Sequence, residues 1–177
     1  MSNTPYKLSN APLISVQQIN NRLESLAQEL KASDFDVILS ALTGSYMFTA
    51  DISRKIAKPE LKITFIRASS YGDSTQSSGK VQISGLEKLD IKGKRVLLVD
   101  DILDTGNTMF SIVQAIAEYS PASIKTCVLL NKESRRTVDF HADFVGFEIE
   151  DKFVVGYGLD YADEYRTLPE IWTLEKL

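Results

Sequence analysis

Val96-Leu97-Leu98-Val99-Asp100-Asp101-Ile102-Leu103-Asp104-Thr105-Gly106-Asn107-Thr108-Met109 decides the fold. Its first four residues are apolar and half of them β-branched, the pattern of a buried parallel strand. Three carboxylates, Asp100, Asp101 and Asp104, follow where such a strand is expected to emerge into solvent. Thr105-Gly106-Asn107-Thr108 is small and hydroxyl-bearing, and an apolar helical spacing opens behind it. A strand, a tight glycine turn and a helix N-terminus make a cradle for phosphate, because unpaired backbone N–H groups and the helix dipole both point at the anion. Carboxylates beside a phosphate would repel it unless a divalent cation or sugar hydroxyls lie between.

The rest of the chain is consistent with one enzyme-sized unit spanning residues 1–177. An apolar fraction of 44% and a charged fraction of 25% are those of a soluble globular protein. A net charge of −4 argues against nonspecific binding to nucleic acid or to an anionic membrane. Cys127 is the only cysteine and sits in the apolar run Cys127-Val128-Leu129-Leu130, which fits a reducing cytoplasm. No apolar stretch approaches the length of a membrane span. Met1-Ser2-Asn3-Thr4-Pro5 lacks the apolar centre of a signal peptide.

Strand-like and helical spacings alternate. Val16 to Leu30 reads as an amphipathic helix with Val16, Ile19, Leu23, Leu26, Ala27 and Leu30 on one side. Phe35 to Ala41 reads as a buried strand, Tyr46 to Ile56 as a helix and Leu61 to Ile66 as a strand. Residues 68–80 are polar, small and rich in turn formers. Beyond the motif strand come a helix over Ile112 to Tyr119, a strand over Ser123 to Leu130, and short strands at Phe144 to Phe147 and Val154–Val155. The predicted class is α/β, a mostly parallel twisted sheet flanked by helices, with ligands at the carboxyl ends of the strands.

On the motif alone, an acidic βα loop of another doubly wound protein, such as a response-regulator receiver, remains open. Receivers spread their acids over several loops, whereas here they are packed into one. The motif resembles the signature of the phosphoribosyltransferases, which use phosphoribosyl pyrophosphate (PRPP). The C-terminal quarter narrows the resemblance: Asp143-Phe144-Val145-Gly146-Phe147-Glu148-Ile149, then Asp151-Lys152-Phe153-Val154-Val155-Gly156-Tyr157-Gly158-Leu159-Asp160-Tyr161, with Arg166 and Leu168-Pro169 beyond. Over roughly residues 35–174 the chain is similar to the hypoxanthine-guanine phosphoribosyltransferases. That likeness implies the type I phosphoribosyltransferase fold, with a small hood formed by the N- and C-terminal segments.

The resemblance also implies roles. Asp100 and Asp101 match the acidic pair that positions the ribose hydroxyls directly or through metal, with Asp100 one methylene shorter than the usual Glu. Asp104 matches the acid beside N7 of the purine. Independently, attack by N9 requires a proton to be removed or relayed, and a carboxylate in reach can do so. Thr105, Gly106, Asn107 and Thr108 match the 5′-phosphate turn, where helix capping would use the same donors. Lys132 matches the lysine that donates to the 6-oxygen, a contact an amino group cannot accept. Phe153 is expected to stack on the base and the Val154 backbone to read its edge. Near Val154 and Asp160, backbone carbonyls are expected to read the 2-position. Asp160 further matches an acid associated with a second magnesium and pyrophosphate, and Arg166 a pyrophosphate-binding arginine.

Leu42-Thr43-Gly44-Ser45 occupies the pyrophosphate-loop position, with Thr43 where the family commonly has Lys. Residues 68–80 match a mobile catalytic loop whose Ser-Tyr pair is Ser70-Tyr71; a closing lid would keep water from an oxocarbenium-like ribosyl centre. The activity implied is Mg²⁺-dependent transfer of the 5-phosphoribosyl group from PRPP to N9 of hypoxanthine or guanine, in a cytoplasmic homodimer or homotetramer. Xanthine stays open as a third acceptor, since it too carries the 6-oxo group. A PRPP-sensing regulator on the same fold is the other class; it would need a nucleic-acid surface that a negative chain does not suggest. His141 and Trp172 match no role.

Overall fold

Beneath the motif lies a six-stranded sheet in the order β4-β3-β2-β5-β6-β7. The computed structural model describes residues 5–70 and 81–177, with only the backbone described at Ser69 and Ser70. The strands are β2 (Val37–Leu42), β3 (Lys62–Ser70), β4 (Val81–Ser84), β5 (Arg95–Leu103), β6 (Ser123–Asn131) and β7 (Phe144–Glu148). All pair in parallel except β4, which runs antiparallel to β3. A second, three-stranded antiparallel sheet joins the two ends of the chain: β1 (Tyr6–Leu8), β9 (Trp172–Lys176) and β8 (Val154–Val155), in the order β1-β9-β8. This is the expected hood.

Helices cover both faces of the large sheet. On one side α1 (Val16–Lys31) and α2 (Tyr46–Ile56) bury Leu23, Leu26, Phe48 and Ile52 against Ile38, Leu97, Val99 and Leu129. On the other, α3 (Asn107–Ala117) packs Met109, Ile112 and Ile116 against Leu39, Leu98 and Val128. Alternate residues of β5 thus enter opposite cores, as the period of a strand demands. α1 opens on a capping box: Ser15 Oγ accepts from the Gln18 N–H and Gln18 Oε1 accepts from the Ser15 N–H. Val16, expected on the buried side of α1, is instead 39% exposed at its first turn.

Several elements depart from the sequence reading. β5 does not end at Val99 but runs to Leu103, pairing Asp100, Ile102 and Leu103 with Val128, Leu130 and Asn131 of β6. Two of the motif acids are therefore inside a strand rather than beyond it. β2 makes this tolerable: its pairing with β5 stops at Ser40↔Val99. Past that point the side of β5 facing β2 is open, and the polar groups there are not sealed in a core. The helix behind the motif begins at Asn107, five residues before the expected Ile112, because Gly106, at φ +89°, turns the chain straight into it. β1, β4 and β9 were not expected. Residues 68–70 of the segment read as a loop continue β3; Tyr71 and the remainder to residue 80 lie outside the described residues. No described helix is long and apolar enough to cross a membrane.

Candidate active site at the strand switch point

From β2 the chain passes to β3 on one side and, later, to β5 on the other, so the sheet's direction of growth reverses between β2 and β5. Such a switch point leaves a crevice at the carboxyl ends of the strands. A cavity of about 460 Å³ lies there. It is lined by Thr43 and Gly44 from the loop after β2, by Asp100 and Asp101 from β5, by Asp104, Thr105, Gly106 and Thr108 from the turn into α3, and by Asp160 and Arg166 from the hood side. Residues distant in sequence thus share one wall-to-wall space.

The β2 wall is built from below. Ser40, Ser45 and Thr49 are buried hydroxyls joined by 2.8 Å hydrogen bonds, and Ser45 Oγ also donates to Ala41 O. This network ties α2 to the strand and holds the loop over Leu42–Ser45 between them. The Leu42–Thr43 peptide is cis. Gly44 is required by proximity: a Cβ there would overlap Asp101 Oδ2, so the carboxylate lies directly on the glycine. Thr43 is exposed at the cavity rim.

On the opposite wall, Asp100 Oδ1 accepts from the Asp101 N–H at 3.0 Å, and Asp101 Oδ1 accepts from the Ile102 N–H at 2.8 Å. Each acid thus satisfies an amide on the open side of β5 and keeps its second oxygen for other work. Desolvation, followed by the neighbouring Asp101 charge, raises the Asp100 carboxyl well above its ordinary pKa. Desolvation raises Asp101 too, with Arg166 among the groups pulling the other way. Two adjacent, poorly solvated carboxylates favour a cation or hydroxyl donors beside them. Among the described residues, no three acidic, His or Cys side chains converge as a ready-made metal cage. Mg²⁺ needs none, since it commonly takes one or two carboxylates plus water and phosphate oxygens. The donor set fits such an ion shared with a ligand.

The phosphate turn is exposed to the cavity at Thr105, Gly106 and Thr108. It is braced from outside by the Thr137 N–H, which donates to Thr105 O at 3.0 Å. Asn107 is turned away from the cavity lining, its amide donating to Thr105 Oγ1 and Thr137 Oγ1. Arg136, almost wholly buried, donates from Nη1 to Asp104 O and from Nη2 to Asn131 Oδ1; its Nε is buried with no acceptor among the described residues. This guanidinium locks the backbone between Asp104 and Gly106. Arg166 donates to Gly158 O at 2.8 Å and meets Asp160 Oδ1 at 3.0 Å.

Lys132, Phe153 and Val154 do not line this cavity. Lys132 stands next to it, its N–H donating to Leu103 O at 2.9 Å and its ammonium 3.7 Å from Asp151. Arg135 then connects Asp151, at 3.6 Å, to Asp104, at 3.1 Å. Val154 is buried in β8 and Phe153 is 53% exposed on the hood. The side chain of Ser70 and all of Tyr71 fall outside the described residues. Sequence reasoning missed Arg135, Arg136, Asp151 and the Ser40-Ser45-Thr49 network. The tandem arginines shortly after Lys132 were a visible signal; Ser40, the one polar residue within the apolar run of β2, was a second.

Comparison with known proteins agrees with this geometry. Residues 15–162 match the family model described as the phosphoribosyl transferase domain. The chain is 44% identical over 167 residues to a hypoxanthine-guanine phosphoribosyltransferase of Aquifex aeolicus, spanning 92% of this chain and 93% of that protein. It is 40% identical to the hypoxanthine phosphoribosyltransferase of Escherichia coli K12, over 90% of this chain and 92% of that one. A crystal structure of a Bacillus anthracis hypoxanthine-guanine phosphoribosyltransferase superimposes with a TM-score of 0.87 at 38% identity, covering 94% of this chain and 99% of that one. With its motif strand, switch-point crevice and hood in the same arrangement, the chain belongs to the phosphoribosyl transferase domain family.

Proposed function

We propose that the chain transfers the 5-phosphoribosyl group of PRPP to N9 of hypoxanthine or guanine, giving IMP or GMP and pyrophosphate. The observation that carries this reading is the one crevice in which a helix N-terminal turn, an acidic pair and a glycine loop backed by Arg166 face each other. A substrate with a phosphate at one end, a diol in the middle and a diphosphate at the other needs these groups in that order.

In this reading the Thr105-Gly106-Asn107-Thr108 turn takes the 5′-phosphate with the free N–H groups of the first turn of α3. Asp100 and Asp101 accept from the ribose hydroxyls. Thr43, Gly44 and Arg166 hold the pyrophosphate, and Asp160 keeps Arg166 aimed. Asp100, Asp101 and Asp160, together with substrate oxygens, would hold Mg²⁺, which would supply charge neutralisation for the departing diphosphate. Asp104 takes up or relays the purine proton. Lys132 donates to the 6-oxygen, Phe153 stacks on the ring, and the backbone at Val154 reads its edge. Lys132 treats hypoxanthine, guanine and xanthine alike, so a preference among them lies with the groups around the 2-position.

The whole chain is read as one working unit in the cytoplasm, with its free, buried Cys127 in keeping with a reducing compartment. Ile63 and Phe65, 44% and 47% exposed on β3, support association with further copies as a homodimer or homotetramer. Incubation with hypoxanthine, PRPP and Mg²⁺ is expected to yield IMP and pyrophosphate in equal amounts. Consumption of PRPP without nucleotide would overturn the reading.

A further inference from the structure

Phe153 does not stand alone on the hood. The edge of one ring meets the face of the next at Tyr161, with centroids 5.7 Å apart and planes at 83°. Tyr161 in turn meets Tyr6 at 5.2 Å and 67°. Three aromatic rings therefore run in series from the N-terminal strand β1 to the half-exposed ring of Phe153. The backbone beneath them is equally tied. Phe153 O accepts from the Leu174 N–H of β9 at 2.9 Å, and β9 pairs with β1 at Tyr6↔Lys176 and Leu8↔Leu174. Tyr161 is fixed by a tight turn: Tyr161 and Glu164 exchange backbone hydrogen bonds, and Ala162 and Asp163 both have positive φ.

We infer that Tyr161 and Tyr6 are positioning residues for the purine: they brace the ring of Phe153 at a fixed pitch, so that β1 is part of the base-binding apparatus. The inference rests on the reading of Phe153 as the base platform. A half-exposed phenylalanine with free torsions must give up rotamer freedom each time a flat ligand stacks on it, which weakens binding. An edge-to-face neighbour removes that freedom beforehand, and a second ring behind it keeps the neighbour from yielding. Tyr6 is not among the residues that line the cavity, and its ring meets that of Tyr161, so its effect on the purine is read through Tyr161 and the hood sheet.

Steady-state kinetics on Tyr6→Leu, Tyr6→Phe, Tyr161→Phe and Phe153→Ala test this, with thermal melting of each. Leucine keeps apolar bulk on β1 but offers no ring. Tyr6→Leu is expected to raise KM for hypoxanthine about 2- to 12-fold, the worth of one edge-to-face pair. KM for PRPP, kcat and Tm are expected to stay near those of the parent, and both phenylalanine variants to behave like the parent. An unchanged hypoxanthine KM in Tyr6→Leu, while Phe153→Ala raises it, would overturn the brace and leave the platform standing. Equal rises in both KM values with a lowered Tm would reduce Tyr6 to a structural role and overturn it as well. If Phe153→Ala leaves the hypoxanthine KM unchanged, the platform reading itself falls, and the brace with it.

Discussion

Arg135 Nε donates to Asp104 Oδ1 at 3.1 Å, on the side of Asp104 that faces Lys132 through Asp151. The carboxylate assigned to the purine proton is thus oriented by a cation, and the lysine assigned to the 6-oxygen is tethered by the same chain of charges. Arg135 is half exposed, so solvent screens its ion pair and leaves it weak. Arg135→Gln is accordingly expected to lower kcat/KM for hypoxanthine no more than about fivefold. Asp104→Ala, which removes the proposed proton acceptor, is expected to cost on the order of 10²–10⁴ in kcat. Equal effects from the two substitutions would contradict this division of labour.

Lys132 is buried, and in the proposed function its ammonium is the donor that separates a 6-oxo from a 6-amino purine. Losing a charged hydrogen bond costs about 1.5–3 kcal/mol, or roughly 10- to 150-fold. Lys132→Met is expected to reduce kcat/KM for hypoxanthine by that factor and leave KM for PRPP little changed. Competition assays with adenine should show the discrimination between the two bases shrinking. Unaltered discrimination would remove Lys132 from the base site.

A methyl group at Gly44 would occupy the space of Asp101 Oδ2, so Gly44→Ala must push the acid or the loop aside. The core around α2 is untouched, and melting is expected to stay close to that of the parent. Displacing ligand groups by about 1 Å can cost on the order of 10²-fold, which is the expected loss in kcat/KM for PRPP. Calorimetric titration with PRPP and Mg²⁺ separates a binding defect from a later one.

Far from the cavity, Asp36 accepts the Arg95 N–H at 2.8 Å and the Arg95 guanidinium at 2.6 and 3.0 Å. These hydrogen bonds hold its carboxyl far below the ordinary value of 3.8, and Asp34 beside it is lowered by Lys58 and Arg95. A folded-state pKa below the unfolded one means that the unfolded chain binds more protons in acid. The stabilisation is present above about pH 4 and is lost as pH falls toward the folded-state value. Asp36→Asn is expected to melt at a lower temperature than the parent at neutral pH, with the gap closing in strong acid. A gap that is constant across that range would contradict the sign.

The motif strand, the crevice and the parallel sheet were legible because Val96–Val99, Val37–Leu42 and Cys127–Leu130 are runs that only a two-sided core explains. Asp100 and Asp101 were read as lying beyond the strand because carboxylates inside a central strand are costly. What removes the cost is a long-range fact, the parting of β2 from β5 after Ser40↔Val99. β4 carries a clean alternation, Val81-Gln82-Ile83-Ser84, but its four residues sit against a polar segment that masks them. β1 and β9 are short and interrupted by Lys7, Glu175 and Lys176, and only long-range pairing, of β9 with both β1 and β8, makes them strands. Arg135 and Asp151 are linked to Asp104 and Lys132 by tertiary contact alone, which local spacing does not encode.

The most direct measurement is the initial rate of nucleotide formation from PRPP and Mg²⁺ with hypoxanthine, guanine, xanthine and adenine in turn, beside Asp104→Ala. Rapid turnover of hypoxanthine and guanine, none of adenine and a large loss in the variant are expected. Binding of PRPP without transfer to any of the four bases would contradict the account and leave the crevice as a ligand sensor.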